Sequence, residues 1–151
     1  MKILQVITSL KTGGAEKLIV DMVPMYRQRG YDVDVLLFDG TGTPFKKLLK
    51  AKGVNIFELG CGGSVYNPIY ILKLLPYFHK YDIIHTHNTA PQLFAAIASL
   101  VSSVVLCTTE HTTSNRRRSL KWYRPIDKWM YINLTCHNRK FEKTYKKIMS
   151  D

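Results

Sequence analysis

The chain has 151 residues, 46% of them hydrophobic and 22% charged, and 22 Lys and Arg against 11 Asp and Glu leave a formal charge of +11. That composition excludes an intrinsically disordered chain, and the length suits one domain that buries roughly 68–70% of its unfolded surface. The three cysteines, Cys61, Cys107 and Cys136, are odd in number and far apart. They form neither a disulfide framework nor a C-x-x-C signature and fit a reducing compartment.

Lys2 to Thr8 is a short apolar run rich in β-branched residues and reads as a buried strand closed by Ser9-Leu-Lys-Thr-Gly-Gly. Ala15, Leu18, Ile19, Met22, Val23 and Tyr26 then recur at helical spacing up to a stop at Gly30, with Pro24 expected to bend the axis. Val33 to Phe38 is the second strand, preceded by Asp32, which together with Asp34 reads as a solvated strand entry and not a metal–diphosphate motif. A short helix from Pro44 to Lys52 and a strand from Val54 to Leu59 follow. Gly60, Gly62 and Gly63 of the Gly60-Cys-Gly-Gly-Ser loop suit the lining of a phosphate, with a mobile connection as the preferred reading. After it come a helix over Pro68 to Phe78, a strand at Asp82 to Thr86, a helix at Pro91 to Val101 and a strand at Val104 to Thr108. Five strands separated by helices predict an α/β fold, a doubly wound, Rossmann-like parallel sheet covered on both faces. Pro125 then opens a helix with Ile126, Trp129 and Met130 on its apolar side.

In such sheets ligands gather outside the carboxyl ends of the strands, so the residues just after each strand carry the chemistry. Gly13-Gly14 joins the first strand to the first helix. Paired glycines let the backbone approach an anion at a helix N-terminus, and equally suit a tight turn. They match neither the dinucleotide G-x-G-x-x-G pattern nor the P-loop. His85-Thr-His87 places two imidazoles on one side of an extended segment, next to Asn88. No further ligand follows at metal spacing, so a polar lining for a hydroxyl-rich substrate competes there with a hydrogen-bonded structural role. Glu110-His111, after the fifth strand, is the best catalytic candidate, an imidazole near neutrality placed to exchange a proton with a hydroxyl. The alternative is a backbone cap in a polar loop.

Charge is concentrated late in the chain. Residues 111–151 hold 11 Lys and Arg against 3 Asp and Glu. Arg116, Arg117 and Arg118, followed by Lys121, Trp122, Tyr123 and Arg124, interleave bases with aromatics, which suits phosphate groups and a membrane interface. The longest nearly apolar stretch, Leu93 to Cys107, is shorter than the roughly 20 residues a bilayer crossing needs. The expected location is the cytoplasm, with peripheral attachment to the inner membrane face.

Taken together, Lys2-Ile-Leu-Gln-Val-Ile-Thr-Ser-Leu, Thr12-Gly-Gly-Ala-Glu16, Asp82-Ile-Ile-His-Thr-His-Asn88 and Glu110-His-Thr-Thr-Ser-Asn-Arg-Arg-Arg118 resemble the N-terminal half of a GT-B glycosyltransferase of family 4, over residues 1–131. The resemblance implies a retaining, metal-independent transferase of bacterial cell-surface glycan synthesis without a cofactor, using a nucleotide-sugar donor. It implies that Gly13 and Gly14 approach the donor diphosphate and that His87 and His111 line the acceptor side. With them go Glu110 as a catalytic residue and His85, Asn88 and Arg116 to Arg118 as contacts to a glycan or lipid-phosphate acceptor, the arginines also facing the inner leaflet. The family's donor domain, with its paired glutamates, is not found in these 151 residues, so the isolated chain is expected to be inactive. Residues 132–151 read as an atypical basic tail, from a shifted frame or an early stop. A split transferase, with a partner chain supplying the donor domain, is the alternative. A basic nucleic-acid binder is a third reading, disfavoured because no reading helix or RNA- or DNA-binding motif appears.

Overall fold

The computed structural model describes residues 1–109, 125–126 and 128–130. Its elements alternate: β1 (Lys2–Ile7), α1 (Gly14–Gln28), β2 (Asp32–Leu37), α2 (Pro44–Ala51), β3 (Ile56–Glu58), α3 (Ile69–Phe78), β4 (Ile83–His87), α4 (Thr89–Ala98), a 3₁₀ turn (Ser99–Val101) and β5 (Val105–Thr109). The five strands form one parallel sheet in the order β3-β2-β1-β4-β5. Strand order reverses direction between β1 and β4, so the crevice favoured for ligands opens there.

Two apolar layers sandwich the sheet. Leu4, Val6, Leu36, Ile84 and Leu106 point to one face and pack under α3 and α4 with Leu74, Phe78, Phe94 and Ala95. Ile3, Ile7, Val33, Val35, Leu37 and Ile83 point to the other and pack under α1 and α2 with Ile19, Val23 and Leu49. A strand buried on both sides has no polar face, which is why these segments read as nearly continuous apolar runs.

Local chemistry sets the helix ends. Thr43 caps α2 by accepting from the Lys46 N–H at 3.2 Å, with Pro44 in the first turn. Helix α1 runs through Pro24 without interruption. At edge strand β3 the ordered pairing shrinks from the predicted six residues to three.

One expectation is corrected at the amino edge of the sheet. Asp32 is exposed, near Lys2 at 3.7 Å, but Asp34 is buried. Its carboxylate accepts from the Tyr81 hydroxyl at 2.6 Å and the Asn55 amide at 2.9 Å, with Arg27 at 3.8 Å. Asp34 therefore fastens the starts of β2, β3 and β4, and burial together with this carboxylate pushes the Tyr81 phenol far up. Residue 34 faces inward because Val33 and Val35 take the α1 side and the pleat turns Asp34 to the other.

Replacing Leu4, fully buried in central strand β1, by Ala is expected to cost about 2–5 kcal/mol. Equilibrium urea unfolding of the Leu4→Ala chain checks this.

Candidate functional site at the carboxyl edge of the sheet

On the α1 face, the rows nearest the carboxyl edge are polar where the rest of the sheet is apolar. The register aligns Gln5 with His85 and His85 with Cys107, and one step on aligns His87 with Thr109. Two diagonal contacts lace these rows together. His87 Nε2 lies 2.8 Å from Gln5 Oε1, and His85 Nε2 lies 2.7 Å from Thr109 Oγ1. The two imidazole rings are 4.2 Å apart between centroids, as the alternation of side chains in an extended segment requires.

Access separates the two histidines. His87 is fully buried, whereas His85 is half-buried and lines a cleft of about 290 Å³ with Gln5, Thr109, Tyr26, Tyr31 and Cys107. Apolar side chains of α1, including Leu18 and Met22, form the opposite wall. Burial pushes the Cys107 thiol up to about 12, so it remains protonated and acts as a small apolar group. Gln5, Thr109 and Cys107 were missed by sequence reasoning. The one available signal was a glutamine inside an otherwise apolar strand, which must find a polar partner when buried.

Next to this ladder, Asn88 follows β4 with φ 68 and ψ 168 and precedes α4 without a side-chain cap. This backbone region is nearly restricted to glycine and costs about 1–3 kcal/mol for other residues. In the first turns of α4, the buried Gln92 amide nitrogen has no hydrogen-bond partner among the described residues.

Gly13 and Gly14 lie at the start of α1. Gly13 is extended and Gly14 is the first helical residue, with no side chain capping the turn. The Glu16 carboxylate folds back against Gly13, into the space a Cβ would take. The helix N-terminus is thus faced by the chain's own anion, which satisfies the same electrostatic preference that would draw a ligand anion there.

The glycine-rich loop after β3 is not the free connection its sequence suggested. The Gly40 N–H donates to the Gly60 carbonyl at 2.8 Å, and the Gly62 N–H donates to Asp39 Oδ1 at 3.0 Å. Asp39 also accepts from the Thr41 hydroxyl at 2.6 Å and the Thr41 N–H at 3.1 Å, and lies 3.2 Å from Lys11 Nζ. One carboxylate therefore joins the loops after β1, β2 and β3. The Thr41 hydroxyl and then the Gly62 N–H hold its carboxyl well below the usual range, outweighing its burial. Glu110, His111 and Arg116 to Arg118 lie outside the described residues, as do residues 132–151. The sheet brings together His85, His87 and Asn88.

The chain is a doubly wound, Rossmann-like α/β sheet of the kind that GT-B glycosyltransferase structures contain. Residues 12–139 match Glycosyltransferase Family 4, and the chain belongs to that family. Among solved structures, HepE of Anabaena in complex with UDP and glucose is similar at 30% identity and a TM-score of 0.57, over 72% of this chain and 29% of that one. A glycosyltransferase from Rickettsia africae is similar at 24% identity and a TM-score of 0.59, over 81% and 33% of the two chains. UDP-GlcNAc 2-epimerase of Neisseria meningitidis shares the fold at 13% identity and a TM-score of 0.60, over 88% and 38%. The chain thus spans less than two fifths of the length of these structures. No curated protein matches the sequence.

Because the native pKa of Asp39 is lowered, its stabilisation is complete above the unfolded carboxylate pKa of about 3.9 and is lost as pH falls through the lower native value. Asp39→Ala is expected to cost about 1–3 kcal/mol at neutral pH. Urea unfolding of both chains should show this difference shrinking below about pH 4.

Proposed function

We propose that this chain is the acceptor-side half of a glycosyltransferase that moves a sugar from a nucleotide-sugar donor to a glycan or lipid-linked acceptor in cell-surface polysaccharide synthesis. The observation that carries the reading is the access of His85 to the cleft on the α1 face of β1, β4 and β5, in a chain whose family is a transferase family. The His85 ring, held by Thr109, offers an acceptor hydroxyl a fixed hydrogen-bonding partner. His87, held by Gln5, keeps the neighbouring wall rigid, which restricts the hydroxyl to a narrow range of positions. His111 and Glu110 are assigned to the same acceptor side from their place after β5, and Arg116 to Arg118 to the acceptor's phosphate.

On this reading the donor diphosphate meets the chain at Gly13 and Gly14, where unpaired helix N–H groups stabilise the leaving charge as it develops. Glu16 must swing away from Gly13 for that contact to form. The nucleotide itself is held by a second Rossmann-like domain, on the same polypeptide or on a partner chain. Transfer is retaining and uses no metal. The diphosphate leaving group and the acceptor hydroxyl then lie on the same face of the sugar, and each domain contributes half of the contacts that hold them.

The test is a titration of the ¹⁵N-labelled chain with UDP-glucose, followed by amide shifts. Movement confined to Gly13, Gly14 and their neighbours supports the reading. Glu16→Ala, which removes the carboxylate at the helix N-terminus, is expected to tighten binding about two- to fivefold. Unchanged glycine amides in both chains would overturn the donor-side assignment.

A further inference from the structure

Two helix N-termini flank the crevice between β1 and β4, and the chain treats them differently. At α1 the Glu16 carboxylate folds over Gly13 and supplies the negative charge that the helix dipole favours. At α4 no side chain caps the turn, and the first turn holds no acid. Residues 83–109, which span β4, α4 and β5, contain no Asp, Glu, Lys or Arg. The N–H groups of Thr89 and Ala90 have no carbonyl to meet within the helix, and Pro91 has no N–H to offer.

A third donor stands at the same place. Gln92 is 2% exposed, and its Nε2 has no hydrogen-bond partner among the described residues. Its own backbone N–H donates to the Asn88 carbonyl at 3.2 Å, which sets Gln92 one turn into the helix. Helical side chains lean back toward the helix N-terminus, so the Gln92 amide is carried over the turn formed by Asn88, Thr89 and Ala90. A buried amide without a partner costs free energy, and a fold keeps one where something else completes it. Asn88 is also the only non-glycine residue with positive φ among the described residues, so the entry into this turn is held against its own preference.

The groups left unpaired are all donors, so the ligand they fit is an oxyanion. Its charge follows from the same surroundings. No cation stands beside these donors in residues 83–109, and Lys11, in the loop after β1, lies 3.2 Å from Asp39. A helix N-terminus carries about half an elementary charge. That suits a single negative charge shared by two oxygens better than the double charge of a phosphate monoester, whose burial without a cation costs more.

We infer that the first turn of α4, together with Gln92, binds the carboxylate of an acidic sugar on the acceptor. Thr89 and Ala90 donate from the backbone and Gln92 from its amide, so Gln92 selects acidic over neutral acceptors. That the carboxylate is carried by a sugar rests on the transferase reading.

The experiment is a titration of the ¹⁵N-labelled full chain with methyl glucuronide, methyl glucoside or glucose 6-phosphate, read at the backbone amides of Thr89 and Ala90 and the side-chain amide of Gln92. The glucuronide is expected to shift all three signals, with the glucoside and the phosphate binding roughly tenfold more weakly. Gln92→Met, similar in size and without the amide, is expected to weaken glucuronide binding roughly tenfold. Its urea unfolding midpoint should stay level or rise, since the amide removed has no partner to lose. Gln92→Glu, which sets a like charge at the site, is expected to abolish binding. Four results overturn the inference: α4 amides that no ligand moves; equal shifts with the neutral glucoside; tighter binding of the phosphate; or a Gln92→Met chain that binds glucuronide normally or unfolds at lower urea, which makes the amide structural. The UDP-glucose titration reads Gly13 and Gly14 instead, so either assignment can fail while the other stands.

Discussion

The pairing of β1 with β4 is the constraint on which the rest of this structure depends. It joins two strands that lie more than seventy residues apart in sequence, and it sets the point where the sheet changes its winding direction. Without it Gln5 and His87 would be two isolated polar residues in apolar segments. With it they become hydrogen-bond partners in a water-excluded layer, where an unpaired amide or imidazole would be costly. The same pairing sets the start of α1 and the start of α4 on either side of one crevice, because each helix leaves the sheet at the carboxyl end of its strand.

The polar groups of the fold divide by edge, and the division has a physical sense. At the amino edge, Asp34 gathers Tyr81, Asn55 and Arg27 and fastens strand starts. At the carboxyl edge, Asp39 gathers Thr41, Gly62 and Lys11 and fastens loops. Both carboxylates are saturated by donors of the chain itself, so they build the scaffold. The groups left with access to solvent or strain are different ones: His85 in the cleft, Asn88 in its glycine-like conformation, and the helix N-terminus at Gly13 and Gly14. The two histidines are each held by a neighbouring strand and differ in burial, His87 being fully buried and His85 half-buried in the cleft wall.

The fold is one that transferases and other enzymes share, as the likeness to a 2-epimerase shows. Family membership therefore narrows the chemistry further than the sheet does.

Much of this was legible in the sequence, for a definite reason. A strand buried on both faces must be apolar throughout, and an amphipathic helix must repeat every three or four residues, so the order of elements and the parallel class follow from composition along the chain. The motifs with chemistry were legible too, since residues just past a strand fall at the carboxyl edge whatever the register. Tertiary structure alone decided the partners. Asp34 read as solvated because its neighbours along the chain give no sign of Tyr81 and Asn55. The Gly60–Gly63 loop read as free because Asp39 is more than twenty residues away, and Gln5 went unnoticed because its importance lies in His87. Periodicity is a local property and is written into every window of the sequence; hydrogen-bond complementarity between distant segments exists only once the sheet has brought them within 3 Å.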